Sequence, residues 1–223
     1  DVCSSDLPRL PDAVQVPSGS PAQPAAIDAV PTLGVFRGTE QPDRVDEFEQ
    51  WLGHRVGYAL DYVGRAGDGD RAPWEGIDDP SGRCRAWAQD RRVLVLSVAI
   101  LPTERQTLVE GANGAYDAHW HRFASTLVEE GCGDAVLRLG WEFNGRFSPW
   151  AADGQEAAFV AYWRRIVERI RAVDGQAFRF DWSVLGGNTN ADVEAAYPGD
   201  DVVDIIGLDA YDTSESTEPE ARW

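Results

Sequence analysis

The chain has 223 residues, of which 43% are hydrophobic and nine are tryptophan, so it can bury the core of one large domain and is not a disordered protein. Its formal net charge of −18 opposes binding to nucleic acid or to an anionic membrane surface, because those partners are themselves negatively charged. The sequence contains no apolar run near the length that spans a bilayer, so we expect neither a nucleic-acid nor a membrane partner.

The amino-terminal 31 residues are predicted to lie outside the folded domain. Residues 1–7 can be encoded by DNA that resembles the end of a common sequencing adapter, and we interpret them as an artefact. Residues 8–31 are rich in Pro, Ala, Ser and Gln without periodicity, which predicts a solvated linker of a kind often found in secreted enzymes. The domain is expected to occupy residues 32–223. We expect a secreted, extracellular protein, and we expect the signal peptide not to be part of this fragment.

From Leu33 onward, short apolar runs alternate with segments of helical periodicity. The third run, 92–100, is continuously apolar, which is typical of a strand covered on both faces. Apolar residues three or four apart mark the helices, as in the stripe from Phe159 to Val173. We predict strands at 33–38, 55–63, 92–100, from 135, at 178–185 and at 202–209, with helices at 44–52, around 84–89, at 116–130 and at 154–173.

This alternation predicts an α/β fold, a (β/α)8 TIM barrel that is truncated after about strand six. Eight units are normal for that barrel, so we expect the domain to be incomplete at its carboxyl end. A doubly wound open sheet is the alternative. It is disfavoured because no Gly-x-Gly-x-x-Gly phosphate loop follows the first strand.

Cysteine and histidine give little sign of a metal or redox site. Cys84 and Cys132 form no Cys-x-x-Cys pair, so the default expectation is two buried free thiols, with a disulfide as the alternative in an exported protein. His119 and His121 are two residues apart and therefore lie on different faces of a helix. We expect no metal and no cofactor.

The strongest chemical signal is a glutamate, Glu142, at the end of the fourth predicted strand. Trp141, Phe147 and Trp150 surround it in sequence, and sugar rings pack on aromatic faces. Catalytic groups of α/β barrels lie where strands end, at the carboxyl face of the barrel. A carboxyl group in such a partly dry place would have a raised pKa, as a general acid needs. The alternative is an ordinary ion pair with Arg138 or Arg146.

Other polar residues also stand at predicted strand ends, and in a barrel they would meet at the same rim. Asp61 and Asp209 are interpreted either as hydrogen-bonding partners of a substrate or as ion pairs of the rim. Arg138 lies inside a strand and is expected to pair with a carboxylate in the barrel, and Asn144 to satisfy backbone groups of a turn. The remaining candidates are Arg37, Ser97, Trp182 or Asn188, Tyr211 and Asp212.

Two segments resemble the signatures of glycoside hydrolase family 26, the β-mannanase-like family of the retaining (β/α)8 clan. Arg138-Leu-Gly-Trp-Glu-Phe-Asn-Gly145, with Trp150 after it, resembles the strand-four signature, and residues 197–212 resemble the strand-six signature. The resemblance implies that Glu142 is the general acid/base and that Tyr211 hydrogen-bonds the nucleophile. It also implies that Phe147 and Trp150 bind sugar and that a nucleophilic glutamate lies beyond residue 223.

The sequence therefore predicts a glycosidase that cleaves a β-linked polysaccharide by a retaining double displacement. Trp141 stands where the family's mannanases commonly have histidine, so the substrate is left open between mannan, xylan and β-glucan. Without the second carboxylate we expect this chain alone to be inactive, and its open sheet edges to make it fold poorly. The alternatives are a non-catalytic carbohydrate-binding barrel and an inverting hydrolase that uses Asp209 or Asp212 as base.

Overall fold

The structure, a computed structural model, describes residues 32–64, 72–88, 90–187 and 189–211. The predicted adapter segment and linker lie outside these residues. The described residues contain a six-stranded parallel sheet in which every strand pairs with its neighbours in sequence order. The strands are β1 Gly34–Val35, β2 Tyr58–Val63, β3 Val93–Val98, β4 Val136–Leu139, β5 Arg179–Leu185 and β6 Ile205–Asp209.

The sheet curls into a half-barrel, which confirms the predicted barrel-type α/β fold. Helices connect the successive strands from β1 to β5 along the chain. Neighbouring parallel strands need such connections, because the chain must return to the same end of the sheet before the next strand begins. The described helices are α1 Pro42–Leu52, α2 Glu75–Asp78, α3 Ser81–Trp87, α4 Leu108–Ala112, α5 Asp117–Glu129 and α6 Glu156–Arg171.

The hydrophobic core lies between the sheet and the helices. All four residues of β4 are buried, because this strand is covered on both faces. Helix α6 places its predicted stripe against the sheet, with Phe159, Trp163, Ile166 and Ile170 fully buried. This packing fixes the carboxyl ends of the strands along one edge, where the predicted site residues are to be found.

The structure adds two short helices, α2 and α4, that we did not predict. Helix α4 carried a local signal, since Thr107 and Glu110 form a capping box. The Thr107 hydroxyl accepts a hydrogen bond from the Glu110 amide at 3.1 Å, and the Glu110 carboxylate accepts one from the Thr107 amide at 3.2 Å. A helix of five residues shows too little periodicity for detection by apolar spacing alone.

The expectation of two free thiols is wrong, because Cys84 and Cys132 form a disulfide. Cys84 lies on α3 and Cys132 follows α5, and the two Cα atoms are 5.9 Å apart. The bond ties together two segments that are 48 residues apart in sequence. Spacing along the chain carried no information on this pairing, since it depends on α3 packing beside α5.

No helix in the described ranges combines the length and the apolar character that a membrane span requires.

Candidate active site

Glu142 lies just beyond the end of β4, on the edge of the sheet where the strands end. Its backbone has φ of 54°, a left-handed conformation that is unfavourable for a residue with a side chain. The Glu142 amide donates a hydrogen bond to the carbonyl of Ser183 in β5, at 3.0 Å, and this contact holds the turn in place. The side chain is directed into the edge of the sheet, and only 6% of the residue is exposed.

The carboxyl group of Glu142 contacts Tyr211 and Asp209, both at the end of β6. The Tyr211 hydroxyl donates a hydrogen bond to Glu142 Oε1 at 2.7 Å. Burial raises the pKa of Glu142, and the neighbouring charge of Asp209 raises it further, whereas the Tyr211 hydrogen bond and the Arg138 charge act in the opposite direction. The net direction is upward, toward the range in which a carboxyl group can serve as a general acid.

The hydrogen bond between Tyr211 and Glu142 also changes the pKa of Tyr211. Its hydrogen bond to the Glu142 carboxylate, together with burial of the hydroxyl, raises the pKa of Tyr211 to about 12. The hydroxyl therefore keeps its proton at neutral pH and remains a donor. Tyr211 lies 69 residues from Glu142 in sequence, so the pairing exists only because β6 returns to the same edge as β4.

Arg138 points from β4 to the inner face of the curled sheet and lies at the centre of a polar cluster. Its Nε donates to Ser183 Oγ at 2.9 Å, and its Nη1 donates to Ser97 Oγ at 3.1 Å. Its Nη2 forms an ion pair with Asp209. This agrees with the expected carboxylate partner, and it gives the inner face a buried positive charge beside Glu142.

The ion-pair alternative for Glu142 is not what the structure contains. Arg138 pairs with Asp209, and Arg146 pairs with Asp153 at 2.7 Å on the surface. Glu142 has no salt bridge with either arginine within 4 Å among the described residues. The Glu142 carboxyl group instead accepts a hydrogen bond from the neutral hydroxyl of Tyr211.

The aromatic residues near Glu142 divide into exposed and buried ones. Phe147 is 59% exposed and lines a cleft of about 670 Å³ together with Glu142 and Tyr211. Trp141 is half-buried beside the rim. Trp150 is only 2% exposed, and its indole donates to the Trp141 carbonyl at 2.9 Å. Trp150 therefore supports Trp141 from below and presents no free ring face for a sugar in this structure.

Asp61 does not join the other candidates at the rim, although it is completely buried. Its Oδ2 accepts hydrogen bonds from the Trp87 indole at 2.9 Å and from the Glu40 amide at 2.8 Å. Trp87 belongs to α3, so the Asp61 side chain lies between sheet and helices. The neighbouring Tyr62 lies on the opposite face of β2, with its ring 5.5 Å from that of Trp141.

Trp182 also lies on the helix side of its strand. Its ring is 5.1 Å from those of Phe143 and Tyr197, and the residue is 4% exposed. Arg37 stacks over Phe48 of α1, 5.9 Å from the ring centre. The candidates Asn188 and Asp212 lie outside the described residues.

Three residues of the inner face were missing from our sequence analysis: Tyr62, Asp181 and Ser183. The Ser183 hydroxyl donates to Asp181 Oδ1 at 2.8 Å, and burial raises the pKa of Asp181. A signal was available, since two polar residues two positions apart in an apolar strand share one face. Asn144 caps the end of β5, where its side chain bonds both the amide and the carbonyl of Leu185, at 2.8 and 2.9 Å.

Within the ranges that the structure describes, no group of three or more His, Cys, Asp or Glu side chains could hold a metal ion. The ionisable and polar groups described at this edge include a buried carboxyl group, a tyrosine hydroxyl and an arginine-bound carboxylate.

Comparison with known proteins finds a family and relatives that part of this chain resembles. Residues 123–221 match the sequence profile of glycosyl hydrolase family 26, so the resemblance to that family is confirmed for the part of the chain that carries Glu142 and Tyr211. A mannan endo-1,4-beta-mannosidase of Bifidobacterium adolescentis is 32% identical over 92 residues, which are 40% of this chain and 9% of that protein.

Two solved structures of Cellulomonas fimi share the fold. One is an endo-beta-1,4-mannanase double mutant, with a TM-score of 0.56 and 23% identity over 77% of this chain. The other is a modular endo-beta-1,4-mannanase, with a TM-score of 0.54 and 21% identity over 76% of this chain. The chain spans 44% of the length of each of these structures.

Proposed function

We propose that this chain forms part of a glycoside hydrolase that cleaves a β-linked polysaccharide, with Glu142 as general acid/base. The observation that carries the proposal is the Glu142 carboxyl group itself. It is buried at a strand end, its pKa is raised by that burial, and it faces a cleft that it shares with the exposed ring of Phe147. Such a group can protonate the departing glycosidic oxygen and then deprotonate an incoming water.

The second carboxylate of the reaction is proposed to come from a residue outside the described ranges. Retaining enzymes hold their two carboxyl groups about 5–5.5 Å apart, and inverting ones about 6.5–9.5 Å apart to admit a water. Asp209 neighbours Glu142 and raises its pKa, and it forms an ion pair with Arg138. The Asp209 carboxylate is therefore already ion-paired with Arg138, which disfavours it as an inverting base.

A retaining double displacement is the proposed mechanism, and Tyr211 is proposed to orient the nucleophile. The anomeric configuration of the first-formed sugar distinguishes retention from an inverting reaction in which Asp212 is the base. Proton NMR during hydrolysis should show the substrate's own anomeric configuration in the first-formed sugar. Initial appearance of the opposite anomer would contradict retention.

The proposed substrate is a neutral β-1,4-linked backbone, and mannan is the first to test because the relatives above are named for it. Xylan and β-glucan remain in the proposal because of Trp141, whose indole can donate a hydrogen bond but not accept one. Reducing-sugar release from the three polysaccharides would rank them.

The central test replaces Glu142 by alanine in the natural gene product that carries this chain. Polysaccharide hydrolysis should fall about 10²–10⁴-fold, because general acid catalysis contributes that much. Aryl glycosides with good leaving groups should keep the first step, since they need no proton from the enzyme. Glu129→Ala, at an exposed position on α5, is the matched control. Unchanged polysaccharide hydrolysis in Glu142→Ala would refute the proposal.

The disulfide supports an exported protein, because such bonds persist in oxidising compartments. We therefore propose an extracellular location. Thiol labelling of the protein recovered from culture medium, denatured without reductant, should leave Cys84 and Cys132 unmodified. Labelling of both, or retention of the protein in the cytoplasm, would contradict export.

A further inference from the structure

Asp181 and Ser183 are two buried polar residues of β5 that the proposed reaction does not use. Successive side chains of a strand alternate between its faces, so these two share the inner face of the curled sheet. Asp181 is 9% exposed and Ser183 is 1% exposed. Burial of a carboxyl group and a hydroxyl group costs free energy unless both are hydrogen-bonded, so the partners of this pair indicate what it does.

The hydrogen bonds of Ser183 have a fixed direction. An arginine side chain always carries its protons, so Arg138 Nε donates to Ser183 Oγ, at 2.9 Å. The hydroxyl group has a single proton of its own, which it donates to Asp181 Oδ1 at 2.8 Å. Ser183 therefore links the positive charge of Arg138 to the carboxyl group of Asp181. Burial raises the pKa of Asp181, and the Ser183 hydrogen bond and the Arg138 charge oppose that rise.

The neighbouring strand β6 leaves room for this link because it has a glycine at residue 207. Gly207 lies opposite Ser183 in the register of the two strands. A Cβ atom at residue 207 would collide with Ser183 Oγ and would lie 2.9 Å from Asp181 Oδ1. Any larger residue would therefore displace the hydroxyl group, so Gly207 meets a steric requirement of the link between Arg138 and Asp181.

Arg138 also faces the carboxyl groups of the candidate active site. Its Nη2 forms an ion pair with Asp209. Burial raises the pKa of Glu142, and the Arg138 charge is one of the contributions that oppose this rise. The other titratable groups that act on Glu142 are those of Tyr211 and Asp209, at the end of β6, and Tyr62 of β2 acts in turn on Tyr211.

Three carboxyl groups therefore lie around one guanidinium group, and they compete for its charge. Asp209 contacts it directly, Asp181 is linked to it through a hydroxyl group, and Glu142 lies beside both. When Asp181 is ionised, it compensates part of the Arg138 charge. Less of that charge then stabilises the ionised form of Glu142.

We propose that Asp181, acting through the Ser183 hydroxyl group, is a positioning residue for Arg138 and thereby controls how readily Glu142 gives up its proton. The proposal rests on the glycosidase function proposed above and adds a residue that adjusts its acid/base. Loss of the Asp181 charge, or of the hydroxyl group that links it to Arg138, should lower the pKa of Glu142.

The test measures kcat/KM for polysaccharide hydrolysis against pH, in the natural gene product that carries this chain. Glu142 must be protonated for the first step, so kcat/KM falls as the pH rises through its pKa. Asp181→Asn keeps an acceptor oxygen for Ser183 but removes the charge, and the falling limb should move to lower pH by about 0.5–1 unit. Ser183→Ala keeps the carboxyl group but removes the link, so it should move the limb in the same direction.

Two variants serve as matched controls. Asp204→Asn also removes one negative charge, from a carboxylate just before β6 that accepts a hydrogen bond from the Phe180 amide at 2.8 Å. Ser125→Ala removes a hydroxyl group on α5 that lies 3.4 Å from His121. Neither side chain is hydrogen-bonded to Arg138 in the described part of the chain, so neither variant should move the limb.

A carbon-13 NMR titration of the Glu142 carboxyl group gives a second measurement that needs no turnover. Its resonance is the one that Glu142→Gln lacks, and its pKa should fall in both test variants. Gly207→Ala should lower it as well, because the added methyl group displaces the Ser183 hydroxyl without removing any polar group. If Asp181→Asn does not fold, Ser183→Ala and Gly207→Ala decide the result.

A Glu142 titration and a falling limb that stay unmoved in Asp181→Asn and Ser183→Ala would overturn the proposal. A shift in only one of two folded variants would overturn it too, because action through the hydroxyl group requires both side chains. Failure of the glycosidase proposal is seen separately, as hydrolysis that survives Glu142→Ala, and the NMR titration does not depend on it.

Discussion

Asp61 and Glu142 are both buried carboxylates at the carboxyl ends of parallel strands, yet their surroundings differ completely. Asp61 accepts hydrogen bonds from an indole and from backbone amides on the helix side of β2. Glu142 faces an open cleft on the inner side and accepts one hydrogen bond from a tyrosine hydroxyl. The carboxylate of Asp61 accepts its hydrogen bonds from groups of the folded chain, whereas the carboxyl group of Glu142 also lines the cleft where a ligand would bind.

The difference teaches that position at a strand end does not by itself make a residue part of a site. Successive side chains of a strand point to opposite faces, so a shift of one residue exchanges the cleft for the core. Tyr62 and Asp61 are neighbours on β2, and the tyrosine has the place at the rim that we predicted for the aspartate. The buried carboxylate with every hydrogen bond made is structural, and the one with a raised pKa beside a cleft is the candidate catalyst.

The largest expected difference in unfolding free energy is between the arginine beside Glu142, which is Arg138, and the arginine beside Asp61, which is Arg83. Arg138→Met should lower the free energy of unfolding by about 3–5 kcal/mol, because it leaves Asp209 and its neighbours without their buried counter-charge. Arg83→Met should cost less, about 1–2 kcal/mol, since its pair with Glu40 is exposed and the buried Asp61 carboxylate keeps its hydrogen bonds from Trp87 and two backbone amides. Urea denaturation of the two variants would measure both values, and equal losses would contradict the comparison.

Asp61→Ala tests the structural side of the comparison. It leaves the Trp87 indole and the Glu40 amide without an acceptor, which should cost about 2–4 kcal/mol of unfolding free energy. Asp61→Asn keeps an acceptor oxygen and should cost less. In both variants the folded enzyme should keep the wild-type pH profile of hydrolysis. A displaced profile would show that Asp61 takes part in the chemistry after all.

Tyr211→Phe should have the smallest effect on stability, and its diagnostic effect is on the pH dependence of hydrolysis. Glu142 must be protonated for the first step, so kcat/KM should fall as the pH rises through the pKa of that group. The Tyr211 hydrogen bond lowers this pKa, and its removal should move the falling limb to higher pH. Tyr197→Phe, which breaks a 2.7 Å bond to Asp200 on the surface, is the control. An unmoved limb would mean that Glu142 does not set it.

The strands and long helices could be predicted because continuous apolar runs and helical stripes are local properties. Glu142 could be predicted as well, since it follows an apolar strand and has aromatic neighbours in sequence. The face of Asp61 could not, because β2 carries apolar residues on both faces, with Ala59 and Val63 on one and Leu60 on the other. The alternation of side chains along β2 therefore does not show which face of the strand is directed toward the core.

The burial of Trp150 could not be predicted for a related reason. An aromatic residue in a loop after a catalytic strand can lie on the surface of a cleft or beneath it, and its neighbours in sequence do not distinguish the two. Only packing against Trp141 decides that Trp150 is buried. The cysteine pair likewise depends on which helices are adjacent.

The sequence by itself determined the alternation of strands and helices, and with it the position of Glu142 where a strand ends. The tertiary structure decided which groups meet there. It folded Glu142 into a left-handed turn against Ser183, brought Tyr211 to within 2.7 Å of its carboxyl group, and placed Asp61 on the other face of the sheet. The physical reason is that hydrophobic periodicity is encoded locally, whereas hydrogen-bond partners and burial depend on residues brought together from distant parts of the chain.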